Sequence, residues 1–188
     1  MKGAEPIFLP GRKRIGVLLY HGWSSSPQEF NPTYTDSTVK HLQKLGYTVY
    51  VPLSRGHGTQ PDDLRGIKWE NWLADARQHY DEFSKEVKRL VVGGMSMGAN
   101  IALTIAAERP VAGVMSMGTP IFYRAHPLFV LWVWLWRRSQ KLKTKRYWEP
   151  DKNIALKKVH YIQYPPESVH QTVRSGPWAK KLLTRIKA

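Results

Sequence analysis

The residues most able to do chemistry lie in Gly94-Met95-Ser96-Met97-Gly98. Here a serine is flanked two residues away on each side by glycine, with LVVGG before the serine-bearing turn and ANIALTIAA after it. The first run predicts a short buried strand and the second an Ala-rich helix. A strand-turn-helix is the setting in which a G-x-S-x-G sequence forms a nucleophile elbow. Such a turn strains the serine, exposes its hydroxyl at the carboxyl edge of a sheet, and aims the following amide the same way from the helix N-terminus. The plain alternative is a Gly/Ser turn between two core elements. A second polar loop, His21-Gly22-Trp23-Ser24-Ser25-Ser26-Pro27, follows another apolar run. Tetrahedral acyl-transfer intermediates carry an oxyanion that two pre-aimed N–H groups stabilise by several kcal/mol. The backbone amides of Trp23 and Met97 are the candidate donors. His21 itself reads better as a tie for loop backbone than as a reactive group.

These loops need a sheet to hold them, and the apolar pattern supplies one. Ile15–Tyr20, Tyr47–Pro52, Leu90–Met95 and Val111–Met117 are short, continuous and rich in β-branched residues, as strands buried on both faces are. Between them, Asp36–Leu45 and Trp69–Val87 place apolar residues at three- and four-residue spacing, and Met97–Glu108 reads as an Ala-rich helix halted near Pro110. Ser54–Gly66 is a loop carrying Arg55-Gly56-His57-Gly58. Strands alternating with helices predict an α/β fold with a mostly parallel sheet and helices on both faces. After Thr119-Pro120 the pattern changes. Pro127–Lys145 joins an apolar run to a basic tail, and Glu167–Ile186 predicts a closing helix. The expected organisation is a core over 1–120, a cap over 121–165 and a return helix over 166–188.

The chain has 188 residues, 42% of them hydrophobic, no cysteine, and a net charge of +15. That content excludes intrinsic disorder. The lack of cysteine excludes a disulfide scaffold, a thiolate nucleophile and a Cys-ligated metal. Residues 1–120 hold 14 Lys/Arg against 11 Asp/Glu, whereas residues 121–188 hold 15 against 3. The excess reads first as a solvated basic face or a chain missing an acidic remainder, and second as a surface for an anionic partner. The longest apolar run, Leu128–Trp136, would make a helix of about 14 Å at about 1.5 Å per residue. A bilayer core is about 30 Å thick, so the run does not span one. With Arg137, Arg138, Lys141, Lys143, Lys145 and Arg146 behind it, residues 128–146 could instead lie on an anionic lipid surface. A specific nucleic-acid motif is missing, no targeting segment is visible, and a cytoplasmic address is the expectation. Gly93-Gly94-x-x-x-Gly98 lacks a dinucleotide fingerprint's spacing, and no metal ligand set stands out, so no cofactor is expected.

The chain resembles the α/β-hydrolase superfamily, and within it the bacterial carboxylesterase and monoacylglycerol lipase branch grouped with serine aminopeptidase-like hydrolases. The elements that carry the resemblance, in family order, are YHGWSSSP (20–27), GYTVYVPLSRGHGTQPDDL (46–64), WENWLADA (69–76), LVVGGMSMGANIAL (90–103) and the strand ending in MGTP (117–120). The likeness is close over roughly 12–120 and looser beyond. It implies that Ser96 is the nucleophile, that Gly94 and Gly98 shape the elbow, and that the Trp23 and Met97 amides form the oxyanion hole. It further implies that the His57 loop is structural, and that an apolar cap, through Leu128, Phe129 and Trp132, lines an acyl-chain pocket. Esters or acylglycerols would be cleaved through an acyl-enzyme.

One part of the pattern is missing. The family's acid and histidine follow the serine, beyond the cap. No strand ending in Asp and no late loop histidine occurs before Ala188. The expectation is a sequence short of its last two strand–helix units, on the order of 60 residues at about 30 each. Of the histidines present, His41 and His79 fall in helices, His126 and His160 in the cap, and His170 in the closing helix. Only His21 and His57 fall on the correct sheet edge. Two alternatives remain: an inactive hydrolase-like protein that binds a lipid or partner, and a basic surface binder.

Overall fold

The structure, a computed structural model, describes every residue except 34, 122–126, 146–155 and 188, and for 127 and 129 the backbone only. His126 and Arg146 therefore lie outside the described residues, as does the Phe129 side chain.

A five-stranded sheet forms the centre, in the order β1-β3-β2-β4-β5. The strands are β1 (Ile7–Leu9), β2 (Ile15–Tyr20), β3 (Thr48–Val51), β4 (Arg89–Met95) and β5 (Gly113–Met117). β2 pairs in parallel with β3 and β4, and β4 pairs in parallel with β5. β1 alone is antiparallel, laid on the outer edge of β3 with Ile7 opposite Val51. Its three residues carry too little pattern to be read as a strand in isolation. Helices α1 (Thr38–Lys44), α2 (Trp69–Phe83) and α3 (Met97–Glu108) make the crossovers. The helix ends obey local chemistry. Ser37 caps α1 by accepting the Lys40 N–H, and Gly46 terminates it at φ +93°, where a side chain would be strained.

β2 divides the core in two. Leu18 and Tyr20 point to one face and pack with Trp69, Trp72, Leu73, Tyr80 and Phe83 of α2 and with Met97, Ile101 and Ile105 of α3. Val17 and Leu19 point to the other face and pack with Val39 of α1, Val49 and Val51 of β3, and Phe30. Both faces are thus covered, which is why the strands read as unbroken apolar runs rather than alternating ones. β5 forms the far edge, and Met115 on it is exposed.

Beyond β5, α4 (Pro127–Trp136) takes in the whole apolar run Leu128–Trp136, and the basic tail lies outside the helix. β6 (Lys143–Thr144) and β7 (Gln163–Tyr164) form a small antiparallel ribbon that the sequence did not signal. α5 (Pro166–Leu182) runs on through Pro177, stops four residues short of the expected Ile186, and is followed by a 3-10 turn, Leu183–Arg185. It docks on α3 through the buried bond from Asn100 Nδ2 to Ser175 Oγ, 2.7 Å. Among the described residues no helix is long and apolar enough to cross a membrane.

Candidate active site

The site is set by register. Tyr20 sits opposite Gly94, so β2 and β4 finish side by side and release their loops at one level of the sheet. Met95 sits opposite Met117, and the Ser96 N–H donates to Met117 O at 2.8 Å. Ser96 then turns with φ 54° and ψ −118° into the start of α3. That conformation costs a non-glycine residue about 1–3 kcal/mol. It persists because the flanking glycines let the chains touch. A Cβ on Gly94 would stand 2.2 Å from the Gly98 carbonyl group, and one on Gly98 would stand 2.0 Å from Tyr20 O. Ser96 is half-buried, and among the described residues its hydroxyl makes no hydrogen bond. Its carbonyl receives the Ala99 and Asn100 N–H groups, at 3.0 and 3.3 Å. The Met97 N–H, at the first position of the helix, finds no acceptor among the described residues.

The loop after β2 presses on this elbow: a Cβ on Gly98 would also lie 2.6 Å from His21 O. Its backbone is held at nearly every polar atom. Glu29 Oε2 accepts the Gly22 N–H at 2.6 Å. Gly22 O receives His21 Nδ1–H at 2.9 Å and the Ser25 N–H at 3.2 Å. In a trans peptide the N–H points opposite the carbonyl, and no cis bond occurs. Pinning Gly22 O therefore aims the Trp23 N–H the other way, where it meets no acceptor among the described residues. Ser24 follows with a left-handed φ of 58°. Its N–H donates to His57 Nε2 at 2.9 Å, and its carbonyl receives the Tyr161 N–H at 2.8 Å.

His21 and His57 lie in the loops after β2 and β3 on this edge, and both are committed. His21 Nε2 accepts the Ser54 N–H at 3.0 Å, which fixes the proton on Nδ1. His57 Nδ1 bonds Arg55 O at 3.1 Å, fixing the same tautomer. Burial pushes His21 down to about 4 and His57 down to about 3, the latter also through the neighbouring His21. Two neutral imidazoles with filled lone pairs cannot take a proton from Ser96. They tie the loop at 21–24 to the loop at 54–57.

Beside Trp23 and Met95 a pocket of about 350 Å³ opens, walled by Glu29, Lys145, Val159 and His160. Burial raises the Glu29 carboxyl, against the bonds from Gly22 and Ser25 and the charge of Lys145. Burial likewise lowers Lys145 to about 8, against the attraction of Glu29. An aromatic row climbs from the loop: Trp23 meets Tyr164 edge-on at 4.9 Å, Tyr164 meets Trp136 at 6.2 Å, and Trp136 stacks on Trp132 at 4.7 Å. On α4, Leu128 is 64% and Trp132 52% exposed, while Val133 is turned inward. Glu29, Tyr161 and Ser168, whose Oγ accepts the Trp23 indole N–H at 3.1 Å, went unnoticed in the sequence. Glu29 could have been found as the acid closing the 21–29 loop. Tyr161 and Ser168 act across more than a hundred residues and left no local signal.

Three comparisons bear on this geometry. The family model described as serine aminopeptidase, S33, matches residues 12–182. A thermostable monoacylglycerol lipase of Bacillus sp. (strain H-257) is 29% identical over 122 residues, covering 64% of this chain and 46% of the lipase. The chain thus spans about half the length of that curated relative. Among solved structures, one for the metagenome-derived lipolytic enzymes LipS and LipT superposes with a TM-score of 0.84 at 25% identity, covering 100% of this chain and 74% of that one. The monoacylglycerol lipase of Paleococcus ferrophilus gives 0.72 at 15% identity, covering 97% and 74%, and speaks for the fold alone. The sheet order, the elbow and a match that takes in nearly the whole chain agree: this chain belongs to the serine aminopeptidase S33 family of α/β-hydrolases.

Proposed function

We propose that this chain belongs to a serine hydrolase of carboxylic esters, of carboxylesterase or acylglycerol lipase type, working through an acyl-enzyme on Ser96. The observation that carries the reading is the Ser96 hydroxyl, at a backbone φ of 54°, together with the Trp23 and Met97 amides, all three without a partner among the described residues. In the proposed reaction Ser96 Oγ attacks the ester carbonyl carbon. The carbonyl oxygen gathers negative charge and is received by those two N–H groups. Collapse expels the alcohol and leaves an acyl-serine for water to hydrolyse. The name of the Bacillus relative, a monoacylglycerol lipase, supports an acylglycerol or other carboxylic ester as the substrate class.

Among the described residues no carboxylate or imidazole bonds to Ser96, which favours a second reading: a hydrolase-like protein that holds a lipid without turning it over. In a comparable triad, loss of the base costs about 10⁶-fold in kcat and leaves roughly 10³–10⁴-fold over water. The two readings separate in one assay, acetylation of Ser96 by p-nitrophenyl acetate followed by intact mass. Serine-dependent acylation above the Ser96→Ala background supports the hydrolase. Lipid binding with no acylation supports the holder.

The outward side of α4 adds a partner. Leu128, Val130, Leu131, Trp132, Trp134 and Leu135 are exposed, and Arg137, Arg138, Lys141 and Lys143 follow them. We read this as weak contact with an anionic membrane surface, the apolar side chains entering the interface and the cations meeting headgroups. Trp132, at the top of the aromatic row from Trp23, would be where an acyl chain passes from lipid toward Ser96. Vesicle co-sedimentation, with and without anionic lipid, tests this.

A further inference from the structure

We infer that Tyr161 is a positioning residue that sets the Trp23 amide for an oxyanion, so that the segment at 159–164 governs the chemistry at Ser96. This rests on the proposed ester chemistry and deepens it.

Tyr161 is 3% exposed and comes from a part of the chain remote from either loop it joins. Its hydroxyl donates to Gly56 O at 3.0 Å and accepts the Thr59 N–H at 2.9 Å. Its backbone N–H donates to Ser24 O at 2.8 Å. Its ring lies parallel to that of His57, 7° between planes and 6.2 Å between centroids. His57 Nε2 in turn accepts the Ser24 N–H. Ser24 is therefore gripped at both backbone polar groups, by Tyr161 directly and by the imidazole that Tyr161 backs, and the hydroxyl bonds to Gly56 and Thr59 hold Tyr161 in the position from which it does so.

The grip matters because Ser24 has a left-handed φ of 58°, a conformation a serine leaves when nothing holds it. The Ser24–Ser25 peptide, whose carbonyl Tyr161 holds, also carries the Ser25 N–H that pins Gly22 O and so aims the Trp23 N–H. Relaxation at Ser24 swings that N–H off its line. Two further bonds fasten the same segment to the loop: Ser26 Oγ to Val159 O at 2.7 Å, and the Val159 N–H to Gln28 Oε1 at 2.8 Å. The segment thus grips the oxyanion loop at three successive points, and Tyr161 alone among them also reaches the loop at 54–59.

The test is single-turnover acetylation of the 188-residue chain by p-nitrophenyl acetate, well below the melting temperature of every variant. The Ser96 Oγ–acyl bond forms, the aryl ester bond breaks, p-nitrophenolate leaves, and the serine proton passes to buffer. Tyr161→Phe keeps the ring and loses the hydroxyl bonds. Its maximal acylation rate is expected to fall about 10- to 100-fold, below the about 10²–10³-fold for deleting a donor outright, with an unchanged half-saturating ester concentration. Tyr80→Phe loses a hydroxyl bond to Pro110 O, at the opposite end of the sheet, and is expected to lower the melting temperature while leaving the rate alone. A Tyr161→Phe rate equal to wild type overturns the inference and leaves the ester-hydrolase reading standing. A wild-type rate equal to that of Ser96→Ala removes both. A measurement on wild type alone adds a check that needs no variant to fold. Amide exchange at Ser24 slowed to the level of the core is expected, and exchange as fast as in an unstructured peptide overturns the inference.

Discussion

Gly98→Ala is the smallest change that strikes the elbow. The added methyl would sit 2.0 Å from Tyr20 O, 2.5 Å from Tyr20 C and 2.6 Å from His21 O. All three are backbone atoms of β2 and its loop, pinned by the parallel ladder to β4, so no side chain can swing aside. Restoring contact to about 3.4 Å requires the start of α3 to retreat by more than 1 Å, a worse overpacking than the about 1–3 kcal/mol typical of one extra methylene in a core. The loss of stability is therefore expected at or above about 3 kcal/mol. The same retreat moves Ser96 and the Met97 amide together away from Trp23. A misplacement of about 1 Å costs about 10²-fold in rate. Urea unfolding gives the first quantity and p-nitrophenyl acetate acylation in the folded fraction gives the second. A Gly98→Ala protein with wild-type stability and wild-type acylation would refute the claim that β2 and α3 must touch here.

Other perturbations probe neighbouring parts of the account. Ser96→Gly frees the strained φ of 54° and should raise stability by about 1 kcal/mol in urea titration while abolishing acylation. Lowering pH should destabilise the fold through His21 and His57. Their folded values are depressed to about 4 and about 3, so the unfolded chain binds the extra protons. Their stability is complete above the unfolded value of about 6.5 and is lost as pH falls toward those folded values, on the order of a few kcal/mol. Glu29, raised by burial, acts with the opposite sign over its own range. A flat melting temperature from pH 7 to 5 would contradict this. Glu29→Ala should free the Gly22 N–H, slow acylation about tenfold by loosening the oxyanion loop, and be checked by the same mass assay. Replacing Leu131, Trp132 and Leu135 with serine should abolish sedimentation with anionic vesicles and leave acylation of the small soluble ester unchanged.

Much of this was legible because each element had a local reason to be what it is. The strands flanking the site are buried on both faces, so Val17 to Tyr20 and Leu90 to Val92 announce themselves as apolar runs. The elbow is legible because close approach leaves only glycine at 94 and 98. His21 was legible as a tie, and the family resemblance made the His57 loop structural; the structure adds that each histidine fixes the other loop through one nitrogen. What escaped is what depends on distant sequence. β1 has three residues and is defined by its pairing with β3. Tyr161 matters through what it touches more than a hundred residues away, not through spacing. The side of α4 that faces outward could not be read at all, because a helix apolar nearly all round carries no periodicity to say which side is covered.

The most direct measurement is labelling of the chain with a fluorophosphonate probe, followed by peptide mapping, in wild type and Ser96→Ala. Phosphonylation confined to Ser96 and absent from the alanine variant is the predicted result. Equal labelling of the two proteins, or a label on another residue, would contradict the claim that this hydroxyl is the one held out for reaction.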